Sequence, residues 1–207
     1  MTKVAILILA AGKSSRMGGR DKLLEDVNGT ALLARVTNRA LATGLPVLVA
    51  VPDVNHPRAA LVKSGTATLI PVPDRDEGMA ASIRAGATAL LGGNHAVMIL
   101  PGDMPDLRSS DLAELVAAFT RQPHNILRAT AADGTPGHPV IFPADLVPAL
   151  IAVTGDAGAR SVIRANMDRL QTQALPGNRA LCDLDTPQDW AKWRASQTDG
   201  QNKRASR

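Results

Sequence analysis

Val4-Ala-Ile-Leu-Ile-Leu9, followed at once by Ala10-Ala-Gly-Lys-Ser-Ser-Arg-Met-Gly-Gly-Arg-Asp-Lys22, is the stretch that decides the fold. Its apolar run does not alternate with polar residues. It therefore reads as a strand covered on both faces, as in a parallel sheet flanked by helices. The polar, glycine-bearing loop that follows sits where such sheets bind ligands, beyond the carboxyl end of a strand.

Working outward, the same alternation continues. Thr30–Thr43 has apolar residues at helical spacing and stops at Gly44, a helix C-terminal signal. Val47–Val51 reads as a strand, Arg58–Ser64 as a short helix and Ala67–Pro71 as a third strand. Met79–Leu91 reads as a helix stopped by Gly92-Gly93, and Ala96–Leu100 as a strand broken by Pro101-Gly102-Asp103. Ser110–Arg121, Ala144–Ala152, Ala159–Met167 and Pro187–Arg194 read as helices. Ile126–Ala131, Pro139–Phe142, Leu170–Leu175 and Leu181–Leu184 read as strands. This order predicts an α/β fold of three layers, Rossmann-like, around a mostly parallel sheet. The expected organisation is a single domain over 1–194. Its two halves span about 1–105 and 106–194, and a polar, disordered tail follows over 195–207.

Composition excludes several classes. Aromatic residues make up 2% of the 207-residue chain, which argues against a stacking platform for single-stranded nucleic acid. The formal net charge is +4, but Arg194–Arg207 alone carries four cations and one anion. The body is nearly neutral, so the basic balance belongs to the tail and points to no nucleic-acid partner. One cysteine, Cys182, rules out an internal disulfide and reads as a buried structural thiol. No apolar run approaches a membrane span, and Val4–Ala11 leads into a polar loop rather than a cleavage site. The expected location is cytoplasmic. His56, His95 and His124 have no partner at metal-ligand spacing, so no zinc site is expected.

Chemistry is expected in three segments. In the first, Gly12, Gly18 and Gly19 allow a backbone to approach a ligand closely, and Lys13, Arg16 and Lys22 suit a polyphosphate. It is not a Walker A loop, because Leu7 stands where the first glycine is required. The second is Pro101-Gly102-Asp103-Met104-Pro105-Asp106, in which Asp106 reads as a helix N-terminal residue. The third is Asp183-Leu-Asp185-Thr-Pro-Gln-Asp189, where Thr186-Pro187 reads as a helix start and the role of Asp183 stays open.

Leu9-Ala10-Ala11-Gly12-x-Ser14-x-Arg16-Met17-Gly18, with Lys22 beyond it, resembles the signature of the MobA-like nucleotidyltransferases. Gly102-Asp103-Met104-Pro105 and Asp183-Leu-Asp185-Thr-Pro-Gln-Asp189 are similar to that family's two metal-carboxylate motifs. The resemblance covers about residues 4–194 and implies a nucleotide-binding half over about 1–105 and an acceptor-binding half over 106–194. It implies nucleotide binding by Leu9, Ala10, Ala11, Gly12, Lys13, Ser14, Ser15, Arg16 and Lys22. It implies Mg²⁺ on Asp103 and Asp185, and catalysis by Lys22, Arg16 and Asp103. Gly78 and Ser82, in Gly78-Met-Ala-Ala-Ser82-Ile-Arg-Ala-Gly86, match a stretch that in the family lies near the base and ribose.

Gly137-His138-Pro139-Val-Ile-Phe142 resembles an acceptor-side element of the cytidylyltransferase branch, and Gly155-Asp156-Ala-Gly158-Ala-Arg160 matches another element of that region. Gly137, His138, Pro139, Asp156 and Arg160 are the expected acceptor residues. Ala10-Ala11-Gly12 also favours the cytidylyl branch, whereas Gly18-Gly19-Arg20-Asp21-Lys22 looks more like the guanylyl branch. The resemblance thus implies a Mg²⁺-dependent transfer of CMP from CTP to the phosphate of molybdopterin. A molybdoenzyme or its maturation chaperone would be a further partner. The alternatives left open are GTP as donor, a sugar or alditol phosphate as acceptor, and a nucleotide-binding module without turnover.

Overall fold

The computed structural model describes residues 3–63, 65–155 and 158–205. Its strands are β1 Lys3–Leu9, β2 Val47–Val51, β3 Thr68–Pro71, β4 His95–Pro101, β5 Ile126–Thr130, β6 Pro136–Phe142 and β7 Leu170–Ala174. They form a seven-stranded sheet in the order β3-β2-β1-β4-β6-β5-β7. β6 runs antiparallel to β4 and β5, and the other pairings are parallel. The helices are α1 Leu32–Leu41, α2 Pro57–Ala60, α3 Met79–Ala89, α4 Ser109–Arg121, α5 Val147–Ile151, α6 Arg160–Ala165 and α7 Pro187–Ala205.

The predicted three-layer arrangement follows from side chains pointing to alternate faces of each strand. Ile6 and Ile8 of β1 pack with Leu33 of α1, Phe119 of α4 and Trp190 of α7 in one apolar layer. Ala5 and Leu7 face the opposite layer, with Ile83 of α3, Leu150 of α5 and Ile163 of α6. A β-carbon at Gly86 of α3 would lie 2.3 Å from the Leu7 methyls, so this glycine sets how closely α3 packs on β1. Burying side chains such as Ile6 and Leu7, which are 0% exposed, stabilises the fold by about 1.5–3 kcal/mol each.

Three elements differ from the sequence reading. Leu181–Leu184 is an irregular segment rather than a strand. The antiparallel strand starts at Pro136, three residues before the expected start. α7 runs on from Arg194 to Ala205, so the described part of the expected tail continues a helix. Cys182 is half-buried at the margin of the core. Among the described residues, no helix is long and apolar enough to cross a membrane.

From β1 the chain steps outward through β2 to β3, then returns to lay β4 on the other side of β1. The order reverses at β1 and β4, and the crevice beyond their carboxyl ends is where such sheets take ligands. Leu9 and Pro101 are register partners, so the loop after β1 and the turn after β4 leave the sheet side by side.

Candidate active site

A cleft of about 790 Å³ opens at that point. At one end it is lined by Gly12, Lys13, Ser15 and Arg16, in the middle by Lys22, Asp103 and Asp185, and at the other end by Gly137, His138 and Arg160. Gly78 and Ser82 also line it. The expected residues thus come largely together, with informative exceptions.

In the loop after β1 the carbonyls of Ala10 and Gly12 accept from Arg58. Ala10 and Ala11, expected to bind nucleotide, are buried and do not line the cleft. Among the described residues, the N–H groups of Gly12, Lys13, Ser14 and Ser15 make no hydrogen bond. Successive free N–H groups form a concave anion site. A β-carbon at Gly12 would meet nothing within 4 Å, so the backbone borders open space there. Ser14 departs from its expected place. With φ of 54° it turns its hydroxyl away from the main cleft, donating to Asp21 Oδ1 at 3.3 Å and accepting from Arg58 Nη2 at 3.0 Å.

Arg58 is a site residue that sequence reasoning missed. It is 2% exposed, and its guanidinium makes five hydrogen bonds. Nη1 donates to the carbonyls of Ala10 and Gly12, both at 2.7 Å, and Nε and Nη2 clamp the Asp21 carboxylate. Burial would push the Asp21 carboxyl up, but hydrogen bonds from Arg58 and its charge hold it below the usual carboxylate range. The one available signal was an arginine immediately before the apolar run Ala59–Val62.

The central cluster is built by backbone contacts. Gly102 N–H donates to Leu9 O at 3.0 Å, and a β-carbon there would also lie 3.0 Å from Leu9 O. Leu184 N–H donates to Asp103 O at 3.2 Å, which lays the Asp183–Asp185 segment beside Asp103. Thr186 and Asp189 exchange cap hydrogen bonds that start α7 immediately after Asp185. As a result Lys22 Nζ bridges two carboxylates, at 2.5 Å from Asp103 Oδ2 and 2.6 Å from Asp185 Oδ1. Arg16 reaches the other oxygen of Asp185 at 2.7 Å. Burial pulls the Lys22 ammonium down, but Asp103 and Asp185 outweigh it and hold it above its ordinary value. Asp183 also lines the cleft. Burial and the nearby Asp103 push its carboxyl up, with Asp185 adding to the effect.

The donor set suits a hard divalent cation. Asp103 Oδ1 is buried with no hydrogen-bond partner, and a second carboxylate converges on the same point. One or two carboxylates completed by phosphate oxygens and water are what Mg²⁺ takes. Among the described residues no group of three or more potential ligands forms a closed protein-only metal centre. Asp106 does not start a helix. It accepts from the Trp193 indole at 2.9 Å, and α4 is capped instead by Asp111, which accepts from Arg108 N–H at 2.9 Å.

At the far end, Gly137 is required by packing: a β-carbon would lie 2.1 Å from Ala180 O. His138 N–H donates to that same carbonyl at 2.9 Å. Its imidazole is pushed down to about 4, first by burial and then by the charges of Arg128 and Arg160, so it is neutral at pH 7. Pro139 is buried and does not line the cleft. Asp156 lies outside the described residues. Arg160 is on the wall, beside Arg128, which sequence reasoning also missed.

A family model described as MobA-like NTP transferase domain matches residues 6–172. The bifunctional protein GlmU of Anaeromyxobacter sp. (strain Fw109-5) is 38% identical over 125 residues, which is 56% of this chain and 25% of that protein. The match therefore spans about a quarter of the length of that relative. Rv0371c from Mycobacterium tuberculosis H37Rv has a similar structure, with a TM-score of 0.80 and 22% identity over 93% of this chain and 97% of that one. The same protein has also been crystallised with manganese. Molybdopterin-guanine dinucleotide biosynthesis protein A from Archaeoglobus fulgidus aligns over 95% of this chain and all of that one, with a TM-score of 0.67 and 16% identity.

Proposed function

Because the chain belongs to the family of MobA-like NTP transferase domains, we propose that this nucleotidyltransferase moves CMP from CTP to the phosphate of molybdopterin, releasing pyrophosphate. The observation that carries the reading is the convergence of Lys22, Asp103 and Asp185 next to a loop of free N–H groups. An oxygen of the acceptor phosphate attacks the α-phosphorus of CTP. The bond from that phosphorus to the β-bridging oxygen breaks, and pyrophosphate takes up the electron pair. A phosphate monoester is largely a dianion at pH 7, with a second pKa of about 6, so no general base is needed. No proton-transfer role is therefore assigned to His138.

The loop N–H groups of Gly12 to Ser15, with Lys13 and Arg16, hold the β- and γ-phosphates. Arg58 is the strut that keeps the loop in that shape. Asp103 and Asp185 would hold Mg²⁺, which would neutralise charge on the triphosphate. Lys22, between those two carboxylates, stabilises the negative charge that grows at the α-phosphate in the transition state. Gly78 and Ser82 lie where the base and ribose would be read.

Ala10-Ala11-Gly12 and Gly137-His138-Pro139 support CTP over GTP by their resemblance to the cytidylyl branch. The second reading is a sugar or alditol phosphate as acceptor on the same nucleotide half. A pyrophosphate-release assay with CTP, GTP and UTP, against molybdenum-loaded molybdopterin and against hexose 1-phosphates, separates them. Turnover is expected with CTP and molybdopterin. Faster turnover with GTP overturns the donor, and turnover only with a hexose phosphate overturns the acceptor.

A further inference from the structure

Among the described residues, two guanidinium groups without a carboxylate partner line the cleft with His138. Arg128 projects from the middle of β5 and donates through Nε to Gly137 O at 3.1 Å. That bond leaves its two terminal nitrogens without a partner among the described residues. Arg160 opens α6 and makes no hydrogen bond or ion pair among the described residues. Both line the cleft, together with His138, whose Nδ1 is buried and unpartnered.

The two arginines are close enough to act on one another. Burial and then the charge of Arg160 push the Arg128 guanidinium below its usual range. Most cations in and around this cleft are matched. Lys13 pairs with Asp76, Arg16 and Lys22 with Asp185, and Arg58 with Asp21. Arg128 and Arg160 stand out as a mutually repelling pair, a state that a bound anion relieves. Planar forks suit a phosphate because each can give it two parallel hydrogen bonds. His138 lines the same stretch of the cleft as both arginines.

We propose that Arg128 and Arg160 form a two-guanidinium clamp for a phosphate monoester, distinct from the triphosphate loop, that holds the acceptor by its phosphate. His138, which lines the cleft beside both arginines and Asp103, borders this anion. The clamp deepens the proposed function, since it makes the acceptor's phosphate the group recognised. It does not depend on which nucleoside triphosphate is the donor.

The test is a calorimetric titration of the full chain with inorganic phosphate, with and without saturating Mg²⁺ and CTP, on the wild type, Arg160→Gln and Arg128→Gln/Arg160→Gln. Arg160 makes no hydrogen bond or ion pair among the described residues, so the single variant is the one least exposed to misfolding. Thermal unfolding checks both. The clamp predicts a phosphate site that survives CTP saturation, weakens about tenfold in the single variant and disappears in the double one. CTP affinity should stay unchanged, and the KM for the phosphorylated acceptor should rise while that for CTP does not. Equal phosphate binding in all three proteins overturns the clamp, as does a CTP-loaded wild type that binds no phosphate. If CTP is not the donor, the arm without nucleotide still decides the clamp, whereas loss of CTP turnover in the wild type counts against the proposed function alone.

Discussion

Replacing Lys22 by methionine keeps most of the side chain's length and removes the cation shared by two carboxylates. The ammonium is 2.5 Å from Asp103 and 2.6 Å from Asp185, and its own side chain is 15% exposed. Solvent screens such a group poorly. Removing one partner of a buried ion pair costs about 3–5 kcal/mol, because the remaining charge stays buried and unpaired. Arg16 still reaches Asp185 at 2.7 Å, which places the cost at the lower end, about 3 kcal/mol. At about 2–4 °C per kcal/mol for a chain of this size, metal-free Lys22→Met should unfold about 6–12 °C below the wild type. The carboxylates are then open to a divalent ion that in the wild type must first displace the ammonium. Scanning calorimetry in chelator, and then across a Mn²⁺ series without nucleotide, reads both effects. The variant should recover most of its lost stability at a Mn²⁺ concentration about tenfold below the one that affects the wild type. Its turnover should stay about 10²–10³-fold down, since the α-phosphate has lost a charged donor. Equal unfolding temperatures without metal, or parallel Mn²⁺ responses, would refute Lys22 as the counter-ion of this pair.

Arg58→Met leaves Asp21 and two loop carbonyls without their donor; it should cost about 3–5 kcal/mol in chemical denaturation. Arg58→Lys restores the charge but not the fork, so nucleotide affinity by calorimetry should recover only in part. Gly137→Ala drives a methyl toward Ala180 O, which a β-carbon would approach to 2.1 Å. It should shift the segment carrying Asp183 and Asp185 and weaken Mn²⁺ binding, with a stability loss of about 1–3 kcal/mol. His138 is neutral in the fold down to about 4 but takes a proton near 6.5 once unfolded. The unfolded chain therefore binds the extra proton between those values, so stability is full above pH 6.5 and falls as pH drops toward 4. Comparing the wild type with His138→Gln by urea unfolding at pH 7 and pH 4.5 should show up to about 3 kcal/mol of acid-induced loss that the variant lacks.

Where a feature depends on neighbours within a few residues, the sequence carried it. Continuous apolar runs marked β1, β2 and β4, and glycine stops marked the ends of α1 and α3, because covering both faces of a strand and terminating a helix are local requirements. The loop of Gly12–Lys22, Asp103 at the end of β4 and the Thr186 cap were legible for the same reason. Leu181–Leu184 misled because a short apolar run satisfies a strand and a core-facing coil equally well. Ser14 misled because its residue type and place in the motif do not tell which way a residue with φ of 54° turns its hydroxyl.

By itself, then, the sequence determined the layered α/β architecture, the family's motifs and which carboxylates and cations are available for phosphate chemistry. Only the tertiary structure decided how they meet. The antiparallel β6 and the strand order, the closure of Leu184 onto Asp103, the bridging of two carboxylates by Lys22, and the reach of Arg58 across 48 residues to Ala10 all depend on packing between distant segments. Periodicity and turn chemistry report the immediate surroundings of a residue. A charge's partner is set by which backbones come within hydrogen-bonding distance once both faces of the sheet are covered.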